Sequence, residues 1–123
     1  MTAQLPLMLL VESQFVLRRT IVSVTRDLAK VEFIEATSVD RARAVLGGVT
    51  CKGVVLDMQE GARALELISD IRLGKFATAR DAQVIALASS LSAEDALRLQ
   101  ELGVTQVLCK PFKIGNFLAA IGC

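Results

Sequence analysis

Four short stretches hold the side chains best placed to do chemistry. Glu12-Ser13 follows the apolar run PLMLLV, and Asp57 ends GVVLD. Ala88-Ser89-Ser90 ends VIALASS, and Lys110-Pro111-Phe112 ends VLCKPF. Carboxylates such as Glu12 and Asp57 are what a hard cation such as Mg2+ prefers. A lysine ammonium neutralises phosphate as a compact point charge. Two carboxylates and a lysine therefore suit phosphoryl transfer, where positioning and charge neutralisation carry most of the catalysis. Each piece is weak alone. An aspartate ending an apolar run is more often structural, Lys-Pro is more often a turn, and Glu12 alone would serve as a helix cap. Their joint position after apolar runs is what carries weight.

The elements that must position them alternate strand and helix five times. Apolar runs at 6–11, 31–34, 53–57, 84–88 and 104–109 read as strands buried on both faces. Between them run helical stripes. Leu17, Ile21, Val24 and Leu28 form the first, with Arg18, Arg19 and Arg26 assigned to its outer face. The second carries Val39, Ala42, Val45 and Leu46, with Thr37 as the expected N-cap and Gly47-Gly48 as the stop. The third carries Ala64, Leu65, Ile68 and Ile71, and a loop spans 74–81. Ser92 caps the fourth, with Asp95 in capping-box position, and Gly103 closes it. Ile114, Phe117, Leu118 and Ile121 mark the fifth. Such alternation implies a parallel sheet covered on both faces, in one α/β domain over residues 1–123. In open parallel sheets ligands bind beyond the carboxyl ends of the strands, where Glu12, Asp57 and Lys110 would converge.

Composition narrows the function classes. The 123 residues are 53% apolar with a net charge of +1, enough for one core and without the basic stripe that nucleic acid requires. No apolar run approaches the ~20 residues of a membrane helix, and the N-terminus lacks signal-peptide features. A cytoplasmic protein with no membrane or nucleic-acid partner is expected. Histidine is absent, which removes serine-triad hydrolysis, histidine–zinc chemistry and phosphohistidine donation. Cys51, Cys109 and Cys123 have no metal-site spacing. LVESQF, after the first strand, lacks the glycines of a nucleotide loop, which weighs against a small nucleotide or flavin enzyme.

LLVES at 9–13, VVLDM at 54–58, VIALASS at 84–90 and VLCKPF at 107–112 resemble the signature blocks of response regulator receiver domains, over the whole chain. The resemblance implies a flavodoxin-like (βα)5 fold, doubly wound, with strand order 2-1-3-4-5, as a single receiver domain without an output domain. It implies that Asp57 accepts a phosphoryl group from a histidine kinase or histidine phosphotransfer protein in a two-component phosphorelay, without enzymatic turnover. Lys110, and the strand-four positions Ala88 and Ser89, would face that group. Glu12, Asp57 and the Gln59 backbone carbonyl would hold Mg2+. Ala88 and Val107 stand at the switch positions, and Lys110-Pro111 is expected to be cis.

The chain also departs from the family pattern. Ser13 replaces the second acid, so Mg2+ should bind weakly. Ala88 replaces the strand-four hydroxyl, and Val107 the fifth-strand aromatic. QEGARALE at 59–66 lacks the usual Met-Pro and Asp-Gly elements. Two readings follow: a stand-alone atypical receiver that still takes phosphate, or a pseudo-receiver that docks partners regardless of phosphorylation. The partner surface expected in either case is the face of the fourth helix, fifth strand and fifth helix, for a homodimer or a partner helix. Asn116, Ala119, Ala120 and Cys123 are expected to point outward there.

Overall fold

Successive side chains on a strand point to opposite faces of the sheet, so a sheet covered on both sides needs strands that are apolar throughout. The computed structural model describes residues 5–28, 30–104 and 106–122. Its strands are β1 (Leu7–Val11), β2 (Glu32–Ala36), β3 (Gly53–Asp57), β4 (Gln83–Ala88) and β5 (Gln106–Cys109). Its helices are α1 (Phe15–Leu28), α2 (Val39–Leu46), α3 (Ala62–Arg72), α4 (Ala93–Glu101) and α5 (Ile114–Ala120). All pairings are parallel, in the order β2-β1-β3-β4-β5. This is the doubly wound flavodoxin-like arrangement.

Alternation divides the core in two. Leu9, Val11, Val54, Leu56, Val84 and Ala86 pack against α2, α3 and Leu99 of α4. Met8, Leu10, Val55, Ile85 and Leu87 pack on the opposite face against Ile21 and Val22 of α1 and Phe117 of α5. Among the described residues, no helix is long and apolar enough to cross a membrane.

Several local expectations are corrected. Ser38, not Thr37, caps α2: its hydroxyl accepts from the Arg41 N–H at 3.2 Å. The buried stripe of α1 is Ile21, Val22 and Thr25, while Leu28 stands 45% exposed at the last position of the helix. Thr25 tolerates burial because its hydroxyl donates to the Ile21 carbonyl at 2.9 Å. Arg18 turns inward to an ion pair with Glu35 at 3.0 Å. Ala120 is buried, not outward, and Cys123 lies outside the described residues. β5 begins at Gln106 instead of Val104. The Ser92 cap on α4 is present, accepting from the Asp95 N–H at 3.0 Å, and Gly103 follows at φ 74°, a left-handed turn that favours glycine.

Candidate functional site

Strand order reverses direction between β1 and β3, which opens a crevice at their carboxyl ends. Val11 pairs with Leu56, so the next residues, Glu12 just past β1 and Asp57 at the end of β3, stand side by side. Ala88 pairs with Cys109, and the Lys110 N–H donates to the Ala88 carbonyl at 2.7 Å. That bond carries β5 one step further and starts the lysine side chain at the crevice. The Lys110-Pro111 peptide is cis, as expected.

The three charged groups meet. Lys110 Nζ lies 2.5 Å from Glu12 Oε1 and 3.2 Å from Asp57 Oδ1. Glu12 is buried, and its other oxygen accepts the Gln14 N–H at 3.0 Å. Both oxygens of a carboxylate removed from water thus have partners, as its burial requires. Asp57 opens onto a cavity of about 370 Å³ lined also by Gln14, Gln59, Ser89, Ser90 and Lys110. Ala88 borders the cavity with a buried methyl group and offers it no donor. Val107 is not among the residues that line it.

The loop after Asp57 is tied down on two sides. Ser13 Oγ donates to Gln59 Oε1 at 3.1 Å. Glu60 reaches α2 and accepts the Val39 N–H at 2.7 Å, occupying a free donor at that helix's N-terminus. Gly61 (φ 57°) then reverses the chain into α3. Opposite, Arg18 Nη1 donates to the Glu12 carbonyl at 3.0 Å and pins the β1–α1 turn. Glu60, Arg18 and Gln14 are thus site residues beyond those assigned from sequence, while Ser90, singled out with Ser89 at the end of the fourth strand, lines the cavity as well.

Burial pushes the Asp57 carboxyl above its ordinary range, and the Glu12 charge adds to this; Lys110 and the Gln59 N–H pull the other way. A carboxyl raised by folding makes ionisation costly in the native state, so stability falls as pH rises through that window and the cost persists above it. Asp57→Asn is therefore expected to raise the unfolding midpoint at neutral pH. The gain should vanish below the ordinary aspartate value of about 3.9. Thermal melts of both proteins across pH check this; a gain independent of pH would contradict it.

Mg2+ takes near-octahedral oxygen ligation, mainly from carboxylates, carbonyls and water. Among the described residues, no group of three or more His, Cys, Asp or Glu side chains could hold a metal ion. Lys110 already pairs with both available carboxylates, and Ser13 contributes no charge. The residues present do not fit a divalent cation site.

No protein-family model and no curated protein matches this sequence. Solved structures match closely in shape. A response regulator receiver protein from Pseudomonas putida superposes with a TM-score of 0.82 at 24% identity, over 98% of each chain. A CheY-like receiver domain protein from Methanospirillum hungatei gives 0.83 at 14% identity, over 96% of this chain and 91% of the other. A chemotaxis response regulator of Vibrio cholerae gives 0.79 at 20% identity, over 96% and 97%. The chain has the fold of CheY-like response regulator receiver domains.

Proposed function

We propose that this chain is a receiver-type phosphoacceptor in two-component signalling, with Asp57 as the acceptor. The observation that carries the reading is the Lys110 ammonium 3.2 Å from Asp57 Oδ1, at the mouth of a polar cavity at the strand-order switch point. A carboxylate oxygen of Asp57 attacks the phosphorus of a partner's phosphohistidine. The P–N bond breaks, its electron pair stays on the imidazole, and that ring keeps or takes up a proton from water. Lys110 offsets the charge on the transferred oxygens, and Ser89 or Ser90 donates from the strand-four side. The domain is modified once per cycle and turns over no substrate of its own. Incubation with an acyl phosphate followed by intact mass measurement tests this: one phosphoryl group is expected on the native chain and none on Asp57→Ala.

Ala88 and Val107 favour a second reading, a pseudo-receiver whose docking ignores phosphorylation. A ligand shifts an equilibrium only by its differential affinity for the two states. The Ala88 methyl offers a phosphoryl group nothing to hold, and Val107 lacks the large ring expected to swing. In either reading the docking face is α4-β5-α5, for a homodimer or a partner's helix. Leu97 and Val107 are exposed there at 57% and 37%, beside exposed Asn116 and Ala119. Ala119→Glu is expected to weaken self-association or partner affinity by about tenfold or more, and phosphorylation of the native chain to change that affinity by less than about tenfold, or 1.4 kcal/mol. Sedimentation and titration calorimetry measure both. Unchanged binding in Ala119→Glu would remove the interface, and a hundredfold phosphorylation effect would remove the constitutive mechanism. Ala120 is buried and is no test of this surface.

A further inference from the structure

We infer that the Lys110 ammonium is the resident cation of this site, taking the place of a divalent ion between Glu12 and Asp57. The inference deepens the phosphoacceptor reading and rests on it only for its labelling arm. Formal charge is the first ground. Glu12 and Asp57 contribute two negative charges and Lys110 one positive, so the cluster is left at about −1, half of what the two carboxylates alone would offer a dication. Geometry is the second. A cation bound to both carboxylates would lie against an ammonium that already touches Glu12 at 2.5 Å and Asp57 at 3.2 Å. Either that ammonium stays and repels the ion, or it leaves and loses its partners, with its side chain only 11% exposed. The third ground lies on the β1–α1 turn. Ser13 brings a neutral hydroxyl that donates to Gln59, and the Arg18 guanidinium, paired with Glu35, donates to the Glu12 carbonyl at 3.0 Å and fixes the turn that carries both residues.

A positive expectation follows: the carboxylates are sound ligands masked by the lysine, so removing it uncovers a metal site. Calorimetric titration of the native chain with Mg2+ is expected to show no binding tighter than millimolar. Lys110→Met is expected to bind Mg2+ at least about tenfold tighter than native, and Lys110→Arg, which keeps the charge, no tighter than native. If Lys110→Met does not fold, Lys110→Gln, which keeps a polar side chain without the charge, serves in its place and is likewise expected to gain at least about tenfold. Native binding in the micromolar range, or no gain in the folded variant tested, overturns the inference. Labelling with an acyl phosphate in excess chelator gives an independent reading. Equal labelling with chelator and with Mg2+ supports the inference. Labelling that requires Mg2+ overturns it and leaves the phosphoacceptor reading intact. Absence of labelling in both conditions defeats the phosphoacceptor reading, and the titration alone then decides the metal question.

Discussion

Phe117→Ala is expected to lose about 3–5 kcal/mol of folding stability, the range for emptying a buried aromatic site. Phe117 is wholly buried, with its ring centroid 6.2 Å from Phe33 and 5.9 Å from Phe112. It fills the core face shared with Leu10, Ile85 and Leu87. α5 has only seven residues, too few to be stable by itself in water, so packing through this ring is what holds it on the sheet. The effect should reach the site. Phe112 stacks on Phe117 and lies two residues from Lys110, so a loosened α5 frees the backbone that aims the ammonium. Urea unfolding, with the midpoint and slope both measured, checks the loss. Val16→Ala, at a position 76% exposed, is the control and should stay within about 0.5 kcal/mol. A Phe117→Ala cost below about 1 kcal/mol would place the docking of α5 elsewhere, since removing a filled ring from a core cannot be that mild.

Glu12→Ala is expected to cost about 3 kcal/mol, the lower end for breaking a buried ion pair. Its carboxylate is fully covered and is the nearer partner of Lys110, at 2.5 Å against 3.2 Å for Asp57. Truncation leaves a largely buried ammonium with one partner and strands the Gln14 N–H at the start of α1. The retained Asp57 contact holds the cost to the low end. Glu12→Gln keeps the amide acceptor and should cost less than Glu12→Ala. Equal losses in the two variants would mean that packing, and not charge, holds Glu12 in place. Denaturant melts at neutral pH decide between these.

What the sequence made legible follows from which forces are local. The alternation of apolar strands and helical stripes reports burial directly, so β3 was delimited at 53–57 and Asp57 placed at its end. Glu12 and Lys110 were found by the same logic, as the polar residues that terminate apolar runs. Contacts made across the fold left no such signature. Glu60 caps α2 from 21 residues away, and nothing in QEGARALE marks it as a cap. Arg18 reads as a solvated charge on a helix until β2 brings Glu35 alongside. Thr37 and Ser38 are adjacent hydroxyl residues, and the one-residue choice between them depends on where the backbone enters α2. Ala120 was assigned outward by helical spacing, but α5 ends there, and its carbonyl accepts from the Gln83 side chain at 2.9 Å. The ion pairing of Lys110 with Glu12 spans 98 positions; sequence placed both residues at the site but gave no indication that the lysine would hold the first acid as tightly as the second.

The most direct test of the account is the position of the phosphoryl group. After treatment with an acyl phosphate, borohydride reduction converts an aspartyl phosphate to homoserine, and peptide mass mapping locates the change. Homoserine is expected at position 57 in the native chain, with no conversion in an untreated control and no modified peptide in Asp57→Ala. Conversion at another carboxylate, or a native chain that takes no phosphoryl group, would remove Asp57 as the acceptor.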